Sequence, residues 1–343
     1  MEQVSTVGLD IAKSVFQVHG VDEAGGVVIA KRLRRSQVIP FFRKLAPCLI
    51  GMEACASSHH WARELGALGH EVRIMPAGYV KPYVKRSKND AADAAAICEA
   101  VTRPTMRFVA VKSREQQSLL MLHRSRSLLI RQRTMLVNAI RAHLAELGIV
   151  APVGLRGLRA LLAVISKPED ERLPSLARSC LESLAAALMS VEQEIASAER
   201  QILVWHRSNE ASRRLASIPG IGPIIATALI ASVADPSIFR SGREMAAWIG
   251  LVPKQNSTGG KERLGRISKQ GDKYLRWLLV AGAMAVIRHG RKTGFAAQPW
   301  LANLAQRKPA KVAAVALANR IARTAWVLLA RGGTYRQPAL TTG

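Results

Sequence analysis

Four carboxylates in the first hundred residues stand where they could act together on a phosphate ester. Asp10 ends the apolar run Val-Gly-Leu-Asp, Glu53 ends the run Leu-Ile-Gly-Met-Glu, and Asp90 and Asp93 lie three residues apart among alanines. That spacing puts Asp90 and Asp93 on one face of a helix. Carboxylates gathered in this way hold two hard divalent cations roughly 3.5 to 4 Å apart, which clamp the attacking and leaving oxygens of a phosphodiester.

Each acid also has a structural interpretation. Asp90 alone is a first-turn carboxylate of the kind that the helix dipole favours, and Asp10 alone is close enough in sequence to pair with Lys13. The chemical interpretation requires the four side chains to converge in space, whereas the structural one does not.

A second candidate site is the glycine-rich, basic segment 250–276, which carries Ser257 and Thr258 beside Gly259. A hydroxyl next to glycine can approach a phosphate closely, and surrounding cations would lower its pKa and stabilise a pentavalent phosphorus. The alternative is a loop that only grips a nucleic-acid backbone. The residues of this segment expected to contact nucleic acid are Lys254, Thr258, Gly259, Lys261, Arg263, Arg266, Lys269, Lys273 and Arg276.

Residues 215–231 have the pattern of a helix-hairpin-helix element. The turn Pro219-Gly220-Ile221-Gly222 would present backbone N–H groups ahead of a helix, which suits a phosphate without reading its base. Gly220 and Gly222 are therefore further candidates for nucleic-acid contact. The alternative is a capping turn between two packed helices.

The elements that would position these groups fall into three parts. Residues 1–105 open with strand-like runs joined by tight turns and then alternate strands with helices, which predicts one mixed sheet covered by helices. Residues 106–207 are helical, and residues 208–343 form a basic helical domain.

The middle part carries an apolar heptad pattern with alternating spacings of three and four. Its partner is either the preceding helix, near residues 113–147, folding back through a loop at 152–174, or another subunit. The heptad positions are Leu181, Leu184, Leu188, Val191, Ile195, Ala198, Ile202 and Trp205.

The charge balance points to a polyanionic partner. The 343 residues carry 50 Lys and Arg against 24 Asp and Glu, a formal charge of +26, and no acid follows Asp272. Five arginines along the helix near residues 113–147 predict a phosphate-facing stripe. They are Arg124, Arg126, Arg131, Arg133 and Arg141.

Composition excludes several classes of protein. Hydrophobic residues make up 49% of the chain, so it is not mostly disordered. The run from Trp277 to Ile287 is too short to span a bilayer and the N-terminus lacks the pattern of a signal peptide, so we expect a cytoplasmic protein without a membrane. The four cysteines lack Cys-x-x-Cys spacing and are expected to be reduced, buried thiols.

The order of these motifs resembles that of the DEDD transposases of bacterial insertion sequences. Gly-Leu-Asp-Ile-Ala-Lys, Gly-Met-Glu-Ala, Lys-Asn-Asp-Ala-Ala-Asp-Ala, Ile-Pro-Gly-Ile-Gly and Asn-Ser-Thr-Gly-Gly-Lys follow one another across nearly the whole chain. More narrowly, the sequence is similar to the insertion-sequence-110-type recombinases, which a bridge RNA directs.

The resemblance implies an α/β plus α architecture. It implies a RuvC-like (RNase H-like) catalytic domain at 1–105, a helical coiled-coil domain at 106–207, and a helical transposase domain at 208–343 with a helix-hairpin-helix-like element. It also implies that Asp10, Glu53, Asp90 and Asp93 bind Mg²⁺ at a two-metal site.

The resemblance further implies a serine nucleophile that becomes covalently joined to DNA. In many relatives this serine directly precedes a glycine, whereas here Thr258 precedes Gly259. We take Ser257 as the nucleophile because its hydroxyl is less crowded, with Thr258 as the alternative.

The sequence therefore predicts a DNA recombinase that mobilises its own insertion element. Its expected partners are the element ends and target DNA, a non-coding bridge RNA, and further copies of itself in a dimer or tetramer. Two other functions stay open: a RuvC-like metal-dependent junction nuclease without a seryl intermediate, and a non-catalytic nucleic-acid-binding protein whose acids are structural.

Overall fold

The computed structural model describes residues 3–85, 89–261, 263–295 and 298–336. The chain divides into two compact units, Met1–Arg114 and Glu115–Gly343. Three domains were expected from the sequence, and the helices assigned to the middle and C-terminal domains share the second unit.

The first unit contains a five-stranded sheet in the order β3-β2-β1-β4-β5. Strand β1 pairs antiparallel with β2 and parallel with β4, β2 pairs antiparallel with β3, and β4 pairs parallel with β5. The predicted mixed α/β sheet is thereby confirmed. Its elements are β1 (Thr6–Ile11), β2 (Val15–Val21), β3 (Val27–Arg34), α1 (Val38–Phe42), β4 (Leu49–Glu53), α2 (Ser58–Gly66), β5 (Glu71–Met75), α3 (Ala77–Val80) and α4 (Asp90–Val101).

Side-chain alternation along β1 gives its two faces different partners. Val7 and Leu9 are fully buried in a core that also contains Trp61 and Leu65 of α2. The intervening Gly8 points to the opposite face, where α4 lies. Helices therefore cover both faces of the sheet.

In its described residues, the secondary structure of the second unit is helical apart from one small hairpin of strands. This hairpin corrects the expectation of a purely helical C-terminal domain. The elements are α5 (Arg114–Glu146, whose first residue closes the first unit), α6 (Leu155–Ile165), α7 (Ser175–Ser208), α8 (Glu210–Ala216), α9 (Pro223–Ser232), α10 (Gly242–Ile249), β6 (Pro253–Gln255), β7 (Leu264–Ile267), α11 (Lys273–Thr293), α12 (Pro299–Arg307) and α13 (Ala310–Arg331).

Five of the eight predicted heptad positions are buried within the chain, and Leu184, Val191 and Trp205 are half-buried. Leu181 and Leu188 of α7 share a core with Ile140 and Leu144 of α5. At the other end of the pair, the indole Nε1 of Trp205 donates to Glu115 at 2.9 Å. Helices α5 and α7 therefore run antiparallel.

Helix α6 lies where the sequence suggested only a loop. Leu158, Leu161 and Ile165 are buried in the same core, at the spacing of one helix face. The helix is short and lies between Gly154 and Pro168. Because these two residues favour turns, the segment resembles a loop in sequence and its helical periodicity is easily missed.

A buried polar network ties α5 to the C-terminal helices. The two ring nitrogens of His123 lie 3.1 Å from the Tyr274 hydroxyl on α11 and 3.0 Å from the Thr227 hydroxyl on α9. The Gln116 amide donates to the carbonyl oxygen of Ile230 at 3.2 Å. These contacts join helices on the two sides of residue 207, and the predicted division into three domains stays a prediction.

Among the described helices, α13 is the only one long and apolar enough, by length and composition, to cross a membrane. Half of its most apolar stretch is buried inside the second unit, where Leu317, Ile321 and Ala325 join the core. This burial is what the core helix of a globular unit requires.

The cysteines divide into two kinds. Cys48 and Cys98 are buried, and burial raises the pKa of each thiol to about 11. Cys55 and Cys180 are exposed, so the expectation of four buried thiols is wrong for these two.

Candidate active-site residues

The parallel pairing of β1 and β4 places two of the four predicted acids side by side. Leu9 pairs with Met52, so Asp10 and Glu53 are the next residues along the two strands. Both are half-buried. Because the strands are parallel, their carboxyl ends reach the same edge of the sheet.

Two glycines bring α4 onto this part of the sheet. A Cβ on Gly8 would overlap the carbonyl oxygen of Ala94, and a Cβ on Gly51 would lie 2.7 Å from the Cβ of Val101. Gly8 and Gly51 pair with each other across β1 and β4. The acids two residues further on therefore point to the α4 face.

Successive contacts between α4 and β1 lie four residues apart on the helix and two residues apart on the strand. Cys98 Sγ lies 3.7 Å from the Thr6 carbonyl oxygen, and Ala94 lies against Gly8. Four helical residues advance about 6 Å and two strand residues about 6.7 Å, so the next helical residue in this series, Asp90, falls near the level of Asp10.

The first turn of α4 carries both remaining acids. Asn89 caps the helix by accepting a hydrogen bond from the Ala92 N–H at 2.8 Å, and Asp90 and Asp93 follow it. Asp90 is exposed and Asp93 is half-buried. The helix dipole favours carboxylates at this end, as the structural interpretation of Asp90 requires.

The four acids approach one edge without meeting at a point. Across the residues that the structure describes, no three His, Cys, Asp or Glu side chains are gathered closely enough to hold a metal ion. Like charges repel unless a cation lies between them. The donors are carboxylate oxygens, which suit hard divalent cations. The ligand set itself stays a prediction.

The hydroxyl residues of the second candidate site lie at the tip of the β6–β7 hairpin. Gly259 and Gly260 both have positive φ, at 56° and 76°, and the Lys261 N–H donates to the Thr258 carbonyl at 3.1 Å. These values are typical of a tight two-residue turn that requires glycine. Ser257 and Thr258 are exposed beside it.

Most of the predicted cations of this segment are exposed. Pairing of β6 with β7 puts Lys254 and Arg266 on the strands and leaves Lys261 and Arg263 near the tip. Lys269 and Lys273 are exposed below the hairpin. These side chains make the hairpin and its base positively charged, and their contact with nucleic acid stays a prediction.

Arg276 has a structural role that its charge did not reveal. Its guanidinium donates to the carbonyl oxygens of Ile249 and Gln270, each at 2.7 Å, and thereby ties α11 to both chain segments at the base of the hairpin. Asp272 caps α11 by accepting from the N–H groups of Tyr274 and Leu275. The base of the hairpin is thus fixed to the helical core.

The predicted helix-hairpin-helix glycines differ in their surroundings. Gly220 has φ of 93° and packs between α11 and α13, where a Cβ would lie 2.9 Å from Ile321 Cδ1. Gly222 precedes α9, is exposed and has no neighbour within 4 Å of an added Cβ. Gly220 therefore fits the packed-turn interpretation, and Gly222 fits an accessible backbone position.

The five arginines predicted to form a phosphate-facing stripe on α5 do not all have the same role. Arg126 donates to Glu199 on α7, and Arg141 donates to the carbonyl oxygens of the 151–154 segment. Arg124 and Arg131 are exposed. At least two of the five arginines therefore serve the protein's own packing.

Sequence reasoning overlooked Gly8 and Gly51 as positioning residues. Both acids at the sheet edge occur in the pattern glycine, apolar residue, acid: Gly8-Leu9-Asp10 and Gly51-Met52-Glu53. The repeated pattern was the available signal, because a glycine two residues before an acid on a strand lets a helix approach the same face.

The sequence matches known families over both units. The model of the Transposase IS116/IS110/IS902 family matches residues 212–298, and an IS110-type DEDD transposase model matches residues 7–149. The mixed sheet and the two matches together define a transposase of insertion sequences.

Several curated relatives share almost the whole chain. A probable family 20 transposase of Pseudomonas aeruginosa is 52% identical over 97% of this chain and 99% of its own. The transposases of IS1111A from Coxiella burnetii and IS1328 from Yersinia enterocolitica are 39% and 37% identical, each over 98% of this chain and 92% and 99% of their own. The chain belongs to the IS110/IS116/IS902 family of insertion-sequence transposases, as its motifs indicated.

Family membership settles the general character of the chemistry. Transposases bind DNA, and a DEDD transposase domain implies dependence on a divalent metal. The resemblance drawn from the motifs is thereby confirmed at the level of the family.

Proposed function

We propose that this protein is a recombinase that cuts and rejoins DNA at the ends of its own insertion element and at a target, through a covalent link to Ser257. The observation that supports this most is the register of β1 and β4, which sets Asp10 beside Glu53 at the edge that the first turn of α4 overlies. We take the first unit as a RuvC-like domain on the same ground.

Asp10, Glu53, Asp90 and Asp93 are the residues that would hold Mg²⁺. When bound, Mg²⁺ supplies positive charge that stabilises the phosphorus centre and the departing oxygen. The chain's own contribution is to hold the donors on one edge, since Gly8 and Gly51 let α4 lie flat on the sheet.

Ser257 is the proposed nucleophile. Its Oγ forms a bond to phosphorus while the bond from phosphorus to one sugar oxygen breaks, and the hydroxyl proton is lost as the departing sugar oxygen gains one. One phosphodiester is exchanged for another, so the linkage is conserved for joining to a second strand. Hydrolysis would leave free ends that cannot be rejoined this way.

The hairpin and the accessible turn are proposed to position DNA. The exposed cations Lys254, Lys261, Arg263 and Arg266 neutralise phosphates next to the hydroxyls. Gly222 offers its backbone N–H at the start of α9, as in a helix-hairpin-helix element. Arg276 acts indirectly, by holding the base of the hairpin.

The remaining parts of the proposal follow from the family resemblance. A non-coding bridge RNA from the element would select the DNA sequences by base pairing. The α5–α7 hairpin would act as a coiled coil in a dimer or tetramer, and the protein would work in the bacterial cytoplasm.

The test is to trap the covalent link. The full chain, co-expressed with its own element, is purified and incubated with Mg²⁺ and labelled element-end DNA, and protein–DNA adducts are resolved on a denaturing gel. We expect an adduct with wild type and with Thr258→Ala, and none with Ser257→Ala or Asp10→Asn.

The same experiment separates the other functions. Strand cleavage at the wild-type rate by both Ser257→Ala and Thr258→Ala would support a junction nuclease without a seryl intermediate. An adduct lost in Thr258→Ala and kept in Ser257→Ala would move the nucleophile to Thr258. Recombination at the wild-type rate by Asp10→Asn would remove the metal chemistry from the proposal.

A further inference from the structure

A groove in the second unit is lined by three arginines that lie outside the segments assigned above to nucleic-acid contact. Arg243 comes from α10, and Arg320 and Arg323 come from α13, three residues apart. The groove has a volume of about 530 Å³ and opens to solvent. Ser241 and Thr324 add hydroxyl groups to its lining.

Packing holds two of these arginines in place. The guanidinium of Arg320 lies 5.0 Å from the centre of the Trp300 ring, at the distance of a cation–π contact. The backbone of Arg323 packs against Gly242, where a Cβ would lie 2.8 Å from the Arg323 carbonyl oxygen. The glycine thus lets the start of α10 approach α13 and closes one side of the groove.

The three arginines give the groove positive charge. None of the three arginines forms an ion pair with a residue in the described part of the chain. The neighbouring Glu244 accepts a hydrogen bond from the Arg240 N–H at 2.8 Å. The positive end of the α10 dipole adds to the field.

The arginines of the groove have the chemistry that a phosphate site requires. Arginine side chains offer planar, paired N–H groups that match phosphate oxygens. Arg320 and Arg323 lie about one turn apart on α13, and Arg243 of α10 lines the same groove.

We propose that this groove binds a backbone phosphate of the nucleic acid on which the protein acts, separately from the β6–β7 hairpin. A free phosphate ion is much smaller than an open groove of about 530 Å³, whereas a strand can run through it. The proposal rests on the proposed function only in that nucleic acid is the substrate. It needs neither the carboxylates nor Ser257.

The groove is joined directly to the base of the hairpin. Helix α10 begins at the groove and ends just before Leu251, whose carbonyl oxygen accepts from the Asn319 side chain of α13. The eight residues of α10 span about 12 Å.

The test compares two arginine pairs in a binding experiment without divalent metal. Arg320→Gln with Arg323→Gln is set against Arg156→Gln with Arg159→Gln, which removes the same charge at the same spacing from exposed positions on α6. Binding of the full chain to a 30-base-pair DNA duplex and to an RNA hairpin is measured between 50 and 300 mM chloride.

We expect the groove pair to weaken binding of at least one probe about 3- to 30-fold more than the control pair. The slope of log affinity against log salt should fall by about one, since one counterion-releasing contact with one phosphate is lost. Arg320→Lys with Arg323→Lys should keep most of that slope. Circular dichroism confirms that each variant is folded.

Three results would overturn the proposal. The first is an equal effect of the two pairs on both probes. The second is weaker binding with an unchanged salt slope, which would mean that the arginines act only through packing. The third is displacement of the duplex by inorganic phosphate, at matched ionic strength, as effectively as by unlabelled duplex, which would indicate a free-phosphate site. Because no metal is present, failure of the covalent chemistry leaves all three readouts unchanged.

Discussion

The sheet edge of the first unit and the hairpin tip of the second hold candidate catalytic groups in different ways. At the sheet edge, Asp10 and Glu53 are half-buried and fixed by strand register beneath α4. At the hairpin tip, Ser257 and Thr258 are exposed, and only the base below them is tied down, by Arg276.

The difference indicates a division of labour. In the proposed function, strand register keeps two of the proposed metal ligands, Asp10 and Glu53, on one edge of the sheet, and a bound cation would draw the four acids together. A nucleophile that becomes covalently joined to a DNA strand benefits from an exposed position, because it must move together with the phosphorus atom that it attacks. Packing of α4 on the sheet therefore positions the acids, whereas turn geometry positions the hydroxyls at the hairpin tip.

The largest effect is expected where packing sets the geometry. Gly8→Ala should lower the free energy of unfolding of the first unit by about 3 kcal/mol, because its Cβ would overlap the Ala94 carbonyl oxygen. Urea unfolding followed by circular dichroism measures it. Gly66→Ala is the control, since nothing lies within 4 Å of its added Cβ. Equal stability of the two variants would show that α4 does not depend on Gly8.

An intermediate effect on stability is expected at His123, in the second unit, which also carries the β6–β7 hairpin. Burial, followed by the nearby positive charge of Arg126, lowers the pKa of His123 to about 4. The unfolded chain, with a histidine pKa near 6.5, binds the proton first as pH falls. The contribution of neutral His123 to the free energy of unfolding should therefore be fully present above about pH 6.5. It should be smaller by about 2 kcal/mol at pH 5 and should continue to fall towards pH 4.

Urea unfolding at pH 7 and pH 5 checks the contribution of His123. His123→Gln should remove that part of the pH dependence, because the substituted side chain does not titrate. An identical loss between pH 7 and pH 5 in wild type and His123→Gln would contradict a neutral, buried His123 at the junction of α5, α9 and α11.

The smallest effect on stability is expected at the hairpin tip. Gly259→Ala strains a residue with φ of 56° but meets no neighbour within 4 Å. Global unfolding should change by less than about 0.5 kcal/mol, because the exposed tip can distort alone. Strand joining should nevertheless fall roughly tenfold, because the hydroxyls next to the turn are displaced.

A turn in the first unit supplies the control for Gly259. Gly25 also has a positive φ, at 85°, and open space around it. Gly25→Ala introduces the same strain between β2 and β3 and should leave strand joining unchanged. A joining defect of equal size in Gly25→Ala would show that the hairpin turn has no special role.

The sequence allowed the elements with strong local patterns to be predicted. The apolar runs that end at Asp10 and Glu53 became adjacent strand ends, and the helix predicted to carry Asp90 and Asp93 on one face is α4, Asp90–Val101. The heptad from Leu181 to Trp205 lies within α7. In each case the signal lies within the element itself, as an apolar run in the strands and as apolar periodicity in α7.

Long-range pairing explains what could not be predicted. Charge patterns did not show that Arg126, Arg141 and Arg276 would bond to groups far along the chain. Strands β6 and β7 are short and polar, so the Gly259-Gly260 turn was the only local sign of a hairpin. The contacts of α5 with α9 and α11 through His123 leave no periodic signal in the sequence.

Metal binding by the four acids is the claim on which the account depends most. The direct measurement is electron paramagnetic resonance of Mn²⁺ titrated into the full chain with element-end DNA bound. Wild type and the exposed-acid control Glu23→Gln should bind Mn²⁺ alike, and Asp10→Asn should weaken that binding at least about tenfold. Equal Mn²⁺ affinity in wild type, Asp10→Asn and Glu53→Gln would contradict the account.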